Sequence, residues 1–176
     1  MQIIKTKFQS LFVIKKEMYK DNRGFFYRDY CVKELKNLKF KIKQTNLSYN
    51  KKKFTLRGFH MQRSPYGETK IISCLSGEIY NVSIDLRKKS DTYLKCFKIK
   101  LSEKNHISVV VPKGFANAYL TLKDNTKVLY YMSNVYKPSK EYGFKYDDKF
   151  FSVKWPYKPK VISKKDLNLK DFDPNE

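Results

Sequence analysis

The sequence predicts an all-β fold, a sandwich or barrel with the jelly roll as its preferred form, and three observations point there. Short runs rich in Ile, Val, Tyr and Phe recur along the 176 residues, and these residue types suit a pleated, half-buried surface. Turn-prone pairs such as Ser76-Gly77, Lys113-Gly114 and Asp124-Asn125 separate the runs, at the spacing of about 8–12 residues that marks sandwiches and barrels. One stretch alone, 29–39, carries helical spacing. The length suits one domain, spanning 1–176.

The runs fall in order. Leu11-Phe12-Val13-Ile14 leads to Met18-Tyr19, the turn Asp21-Asn22-Arg23-Gly24, and Phe25-Phe26-Tyr27. In 29–39, Val32, Leu35 and Leu38 fall three apart with lysines and Glu34 opposite, which predicts a helix. Thr55 to Gln62 alternates, so Leu56 and His60 are expected on one face and Arg57, Phe59 and Met61 on the other. Further strands are expected over 69–75, 78–86, 93–101, 106–111, 115–122 and 126–135. From Tyr157 onward Pro, Lys and Asp mix, which predicts an irregular tail wrapping the body.

A formal charge of +21 invites a nucleic-acid reading. All but five of the 38 basic residues are lysine, however, and they are scattered instead of gathered into an arm. Base-edge readout leans on arginine. The charge therefore reads as solvated surface with a field favourable to a small anionic ligand, and no nucleic-acid partner is expected. No apolar run nears the length of about 20 residues that spans a bilayer, and the N-terminus shows no secretory pattern. Cys31, Cys74 and Cys96 are odd in number and widely spaced, so they read as reduced thiols in a cytoplasmic protein.

Candidate chemistry is sparse. Two histidines, without an HxH pair or a neighbouring Glu, argue against a metal centre. There is no GxSxG, GxGxxG or P-loop. His60, beside Arg57 and Gly58 in a strand, suggests a polar barrel interior where an imidazole acts as general base. His106 reads as a surface turn residue. Arg23, Arg57 and Arg87 stand where a planar bidentate donor suits a diphosphate. Arg87 has an alternative, pairing with Asp85 inside the barrel.

Several stretches in fixed order resemble the dTDP-4-dehydrorhamnose 3,5-epimerases and their nucleotide-sugar relatives, which are cupin-type jelly rolls. They are Asp21 to Phe26, Gln44-Thr45-Asn46-Leu47-Ser48, Leu56 to Gln62, Lys70-Ile71-Ile72, Ile84-Asp85-Leu86-Arg87, Val111 to Ala116, Tyr130, Trp155-Pro156 and Ser163-Lys164-Lys165-Asp166. The resemblance implies proton removal beside a C4 ketone and reprotonation from the opposite face. His60 would be the base, Asp166 its orienting carboxylate, Lys70 the enolate stabiliser and Tyr130 the acid. Arg23 and Arg57 would hold the diphosphate, with Phe26, Gln44, Asn46 and Tyr136 as further substrate contacts, Arg28 facing the nucleotide, and Asp85 lining the sugar pocket. No metal or organic cofactor is implied. The family is dimeric, so a homodimer with exchanged N-terminal strands is expected, one site drawing on both chains.

Two positions depart from the pattern. Asn117 stands where the family has a second histidine, and Arg28 where thymidine-specific members often carry Glu. Both suggest a different sugar nucleotide, such as a GDP-linked 6-deoxy-heptose for capsule or surface polysaccharide, inverted at C3, C5 or both. A non-catalytic nucleotide-sugar binder, a 3,4-ketoisomerase on the same fold and a basic nucleic-acid-binding barrel stay open as alternatives.

Overall fold

The β-branched and aromatic runs pair into two antiparallel sheets in a computed structural model that describes residues 1–175; Glu176, the last residue of the expected domain, lies outside them. The strands are β1 (Gln2–Lys5), β2 (Phe12–Lys15), β3 (Met18–Asp21), β4 (Gly24–Tyr27), β5 (Gln44–Asn50), β6 (Thr55–Gln62) and β7 (Lys70–Ser76). They continue as β8 (Glu78–Asp85), β9 (Cys96–Ser102), β10 (Ile107–Val111), β11 (Phe115–Thr121), β12 (Thr126–Met132), β13 (Glu141–Gly143) and β14 (Val161–Ile162), with a short helix α1 (Lys164–Leu167). The first sheet runs β1-β2-β10-β7-β12-β5 and the second β13-β6-β11-β8-β9, with β14 parallel to β6. β3 and β4 form a separate hairpin. This two-sheet arrangement is the expected jelly roll.

The core has three layers. Ile72, Val109 and Val128 of the first sheet meet Ile79, Leu101 and Phe115 of the second between the sheets. Ile71 and Val110 point the other way, and Leu35 and Phe40 cover them. Ala116 and Ala118 face a third layer with Phe59 and Phe144, sealed by Trp155 and Phe172 from the C-terminal segment. Every residue of β11 is therefore buried. A strand covered on both faces reads as a continuous apolar run instead of an alternating one.

Several expectations need correction. The helix over 29–39 is absent: the segment is a series of turns ending in one 3-10 turn, Lys36–Leu38. Val32 is 64% exposed while Leu35 is buried, so the three-residue spacing marks no common face. Docking of Leu35 and Phe40 on the sheet outweighs a weak local propensity. The strand placed at 93–101 begins at Cys96, because Leu94 holds a left-handed φ of 63°. The one placed at 126–135 stops at Met132. β1, β5 and β13 were not foreseen; β5 is QTNLSYN, polar enough to hide its alternation. The tail is wound around the body but carries β14 and α1. His106 does sit at a turn, yet it is half-buried against the stacked rings of Phe25 and Tyr27, at 5.4 and 5.5 Å.

The parity expected in β6 also fails, and this matters most for the site. Gly58 has φ +114°, and the pairing of β6 with β11 shifts register between Asn117 and Tyr119. A bulge of this kind re-aims the side chains that follow it. Arg57 and His60, expected on opposite faces, line the same cavity. No side chain larger than hydrogen fits at Gly58, where a Cβ would lie 2.6 Å from the Cβ of Ala118. Among the described residues no helix is long and apolar enough to cross a membrane.

Candidate active site

Two adjoining cavities of about 480 and 500 Å³ open between the sheets and share four wall residues, Leu47, His60, Lys70 and Tyr130. β5, β7 and β12 supply one side and β6 and β11 the other. The first cavity adds Arg57, Asn117, Tyr119 and Asp166; the second adds Gln44, Asn46 and Tyr136.

Asp166 comes from the far end of the chain. Ser163 caps α1, its Oγ accepting from the Asp166 amide at 3.0 Å, as the Ser-x-x-Asp spacing favours. The carboxylate does not close that cap. Its Oδ2 accepts from the Gly58 amide at 3.2 Å and its Oδ1 lies 2.9 Å from His60 Nε2. β14, parallel to β6, delivers α1 to this position. Burial pushes the Asp166 carboxyl up, but its hydrogen bond to His60, the charge there, the Gly58 amide and Ser163 together hold it below the usual value. A carboxylate only accepts, so neutral His60 carries its proton on Nε2 and leaves the Nδ1 lone pair free.

Tyr130 faces the cavity while its neighbour Tyr131 points through the sheet, its hydroxyl donating to Asp29 at 2.8 Å. Burial raises the Tyr130 phenol above its ordinary value, an effect Tyr119 reinforces and the Arg57 guanidinium opposes. It is therefore a neutral acid at physiological pH, with a cation at hand should it ionise. Lys70, at the start of β7, pairs with Glu68 at 2.9 Å. Arg57 is braced by Nε donating to Asn50 Oδ1 at 2.9 Å.

Asn117 lines the cavity but is largely occupied. Its Oδ1 accepts from Asn81 and from Ser83, at 3.0 and 2.7 Å, and its Nδ2 donates to Asn81 Oδ1 at 3.1 Å. One amide hydrogen is left for a ligand. Gln44 donates to Asn46 and accepts from the Tyr136 amide, so these three contacts form one unit.

Four of the expected residues lie elsewhere. Arg23 and Phe26 project from the β3–β4 hairpin, Phe26 63% exposed and Arg23 paired with its own Asp21. Arg28, just past the hairpin, pairs with Glu34. Asp85 is corrected outright. It is fully buried and lines neither cavity, accepting from Arg87, Ser90 and Thr92 at 2.6 to 2.8 Å. The alternative in which Asp85 pairs with Arg87 is what forms. Burial works against this carboxylate, but Arg87 and the two hydroxyls hold it below its usual value. Asp85→Ala should therefore cost about 3–5 kcal/mol of folding stability, read by urea unfolding, with substrate KM within about twofold. A raised KM at unchanged stability would put Asp85 back in the pocket.

Sequence reasoning missed Glu141 and Lys165. They pair across the rim, and Glu141 also accepts from the Tyr136 hydroxyl. Burial opposes the Glu141 charge, yet Lys165, Tyr136 and nearby His60 keep its carboxyl below the usual value. Lys165 had a usable signal, since it precedes Asp166 in a capping sequence. Glu141 had none, because β13 is three residues long. Among the described residues, no group of three or more His, Cys, Asp and Glu side chains gathers in a metal-binding arrangement.

Comparison with known proteins adds a second line. The pattern of the family described as dTDP-4-dehydrorhamnose 3,5-epimerase matches residues 5–174. The dTDP-4-dehydrorhamnose 3,5-epimerase of Shigella flexneri is 33% identical over 175 residues, 98% of this chain and 96% of the relative. That of Methanothermobacter thermautotrophicus is 34% identical over 180 residues, 99% of this chain and 96% of the relative. Among solved structures, the Bacillus anthracis enzyme with TDP and pyrophosphate bound superposes with a TM-score of 0.94 at 35% identity, covering 97% of this chain and 99% of that one. The Legionella pneumophila 3,5-epimerase in complex with dTDP-4-keto-L-rhamnose gives a TM-score of 0.90 at 32% identity, covering 97% and 92%.

Proposed function

The chain belongs to the dTDP-4-dehydrorhamnose 3,5-epimerase family, and on that premise we propose that it inverts C3, C5 or both on a nucleotide-diphosphate-linked 4-keto-6-deoxy sugar. The observation that carries this is the His60–Asp166 pair at 2.9 Å in a cavity whose walls also include Lys70 and Tyr130. His60 Nδ1 takes the proton from a carbon beside the C4 ketone, and the electron pair moves onto O4. The Lys70 ammonium meets the charge that develops there. Tyr130 gives its proton to the opposite face of the same carbon, its phenolate lying near Arg57, and the site resets when His60 releases its proton to water and the phenolate takes one back. Inversion follows because acid and base are different groups on different strands.

Arg57 holds the diphosphate, and Gln44, Asn46 and Tyr136 contact the ligand in the second cavity. Arg23 and Phe26, exposed on the hairpin, and Arg28, just beyond it, serve the site of a second copy in a homodimer that exchanges N-terminal elements. The bound TDP of the Bacillus anthracis structure and the bound dTDP-4-keto-L-rhamnose of the Legionella pneumophila structure support a sugar-nucleotide ligand. A cytoplasmic role in making surface polysaccharide fits this substrate class.

Asn117 and Arg28 favour a second substrate reading, a GDP-linked 4-keto-6-deoxy-heptose. Incubation with dTDP-linked hexose and GDP-linked heptose candidates in D₂O separates the two. Deuterium at C3, C5 or both, read by NMR, gives the reaction and its positions together. A carbonyl moved from C4 to C3 would mean a ketoisomerase, and no exchange in any candidate would leave only a binder. Tyr130→Phe should still incorporate deuterium through His60 but yield at least tenfold less inverted product. Equal losses of exchange and inversion would remove Tyr130 from the acid role.

A further inference from the structure

Glu68 has no part in the scheme above, yet it is among the most deeply placed charges of the cleft. It is 6% exposed, and both of its oxygens are engaged. Oε1 accepts from Lys70 Nζ at 2.9 Å, and Oε2 accepts from Gln62 Nε2 at 3.1 Å. Gln62 is itself locked. Its Nε2 also reaches the carbonyls of Tyr66 and Val135, and its Oε1 accepts from the Lys137 amide at 2.6 Å. The lattice thus ties β6, the 63–69 turn and the segment carrying Tyr136 to one carboxylate, and that carboxylate to one ammonium. Glu68, Gln62 and Lys70 all line the second cavity.

A lysine on a four-carbon stem has many rotamers and three equivalent donors. Unrestrained, it would lose entropy each time it met an oxygen, and stabilisation of developing charge is effective only when the donor is already in place. We propose that Glu68 is a positioning residue, its buried carboxylate fixing the Lys70 ammonium at the wall shared by the two cavities, where the enolate oxygen develops. One ammonium hydrogen is committed to Glu68, and the other two stay free for the ligand. The carboxylate also balances a cation in a cleft that already holds Arg57 and Lys165. The inference rests on the proposed role of Lys70 and adds to it a group that acts through that ammonium.

The test is a double-mutant cycle measured by deuterium incorporation, using Glu68→Gln, Lys70→Met and the pair. Glu68→Gln is nearly isosteric and keeps an oxygen for Gln62, so its thermal unfolding should stay within a few degrees of the parent. It should lower kcat about tenfold with KM within about twofold. In the Lys70→Met background the same change should cost less than about twofold, because a group that acts only through Lys70 has nothing left to act on. Glu68→Asp, which keeps the charge but retracts it by one methylene, should also lower kcat at constant KM. Parent-like kcat in both Glu68 variants overturns the proposal, as does a full tenfold loss persisting without Lys70, which marks Glu68 as scaffolding. Either result leaves the epimerase reading standing as long as the parent exchanges deuterium. Failure of the parent to exchange overturns both.

Discussion

His60→Asn is expected to lower deuterium incorporation at the sugar by about 10³-fold, the middle of the range for loss of a general base. Asparagine is close in size and can still hydrogen-bond Asp166, so the fold should survive, and unfolding temperature checks this. What it lacks is a lone pair that takes and returns a proton near neutral pH. The other groups around the first cavity offer no substitute. Lys70 and Arg57 are cations, Tyr130 is held protonated by burial, and Asn117 has only an amide hydrogen to spare. Asp166, though basic, lies behind His60 with both oxygens engaged. Binding of the nucleotide should change little, since no diphosphate contact is assigned to His60. Incorporation within tenfold of the parent would mean that a different base does the work.

Asp166→Asn should cost about 10² to 10⁴-fold in the same measurement, for a reason that depends on hydrogen-bond polarity. In the native chain Oδ2 accepts from the Gly58 amide, so an asparagine there keeps its oxygen on Gly58 and turns its NH₂ toward His60. An NH₂ donates, which draws the imidazole lone pair onto Nε2 and leaves the proton on Nδ1, facing the cavity. The base then points its lone pair away from the substrate. Substrate affinity should be unchanged, so the loss should appear in kcat at constant KM. The pH dependence has a definite sign. The folded carboxyl is held below its usual value, so its stabilising contribution is complete above the unfolded value near 3.9 and is lost as pH falls through the lower folded value. Asp166→Asn should therefore flatten the acid limb of the unfolding curve while leaving the neutral region parallel to the parent. An unaltered acid limb would mean that the carboxylate is not held by the contacts seen around it.

The fold was readable because its signals are local. Ile79 and Val82 in β8, or Val109 to Val111 in β10, are β-branched runs bounded by turns, and no distant partner is needed to recognise them. β5 was not readable, because its mostly polar residues stand at the edge of the sheet, paired among the described strands with β12 alone. The false helix at 29–39 shows the converse. Its spacing was real, but the use made of Leu35 depended on Ile71 and Val110, residues far along the chain.

The candidate site divides in the same way. Strand context alone singled out His60, and the family resemblance, carried by short stretches in fixed order, added Lys70, Tyr130 and Asp166 as its implied cation, acid and orienting carboxylate. Order along the chain was enough to nominate those residues, to give the strand-rich class and to show the lack of any nucleotide-phosphate loop or nucleophile elbow. It could not determine that Arg57 and His60 share a cavity, because the bulge between the Asn117 and Tyr119 pairings that cancels their alternation exists only once β6 meets β11. Nor could it choose between the pocket and the Arg87 pairing for Asp85, or put Glu141 and Glu68 into the cleft. Those positions follow from register and burial, which arise from contacts between segments tens of residues apart.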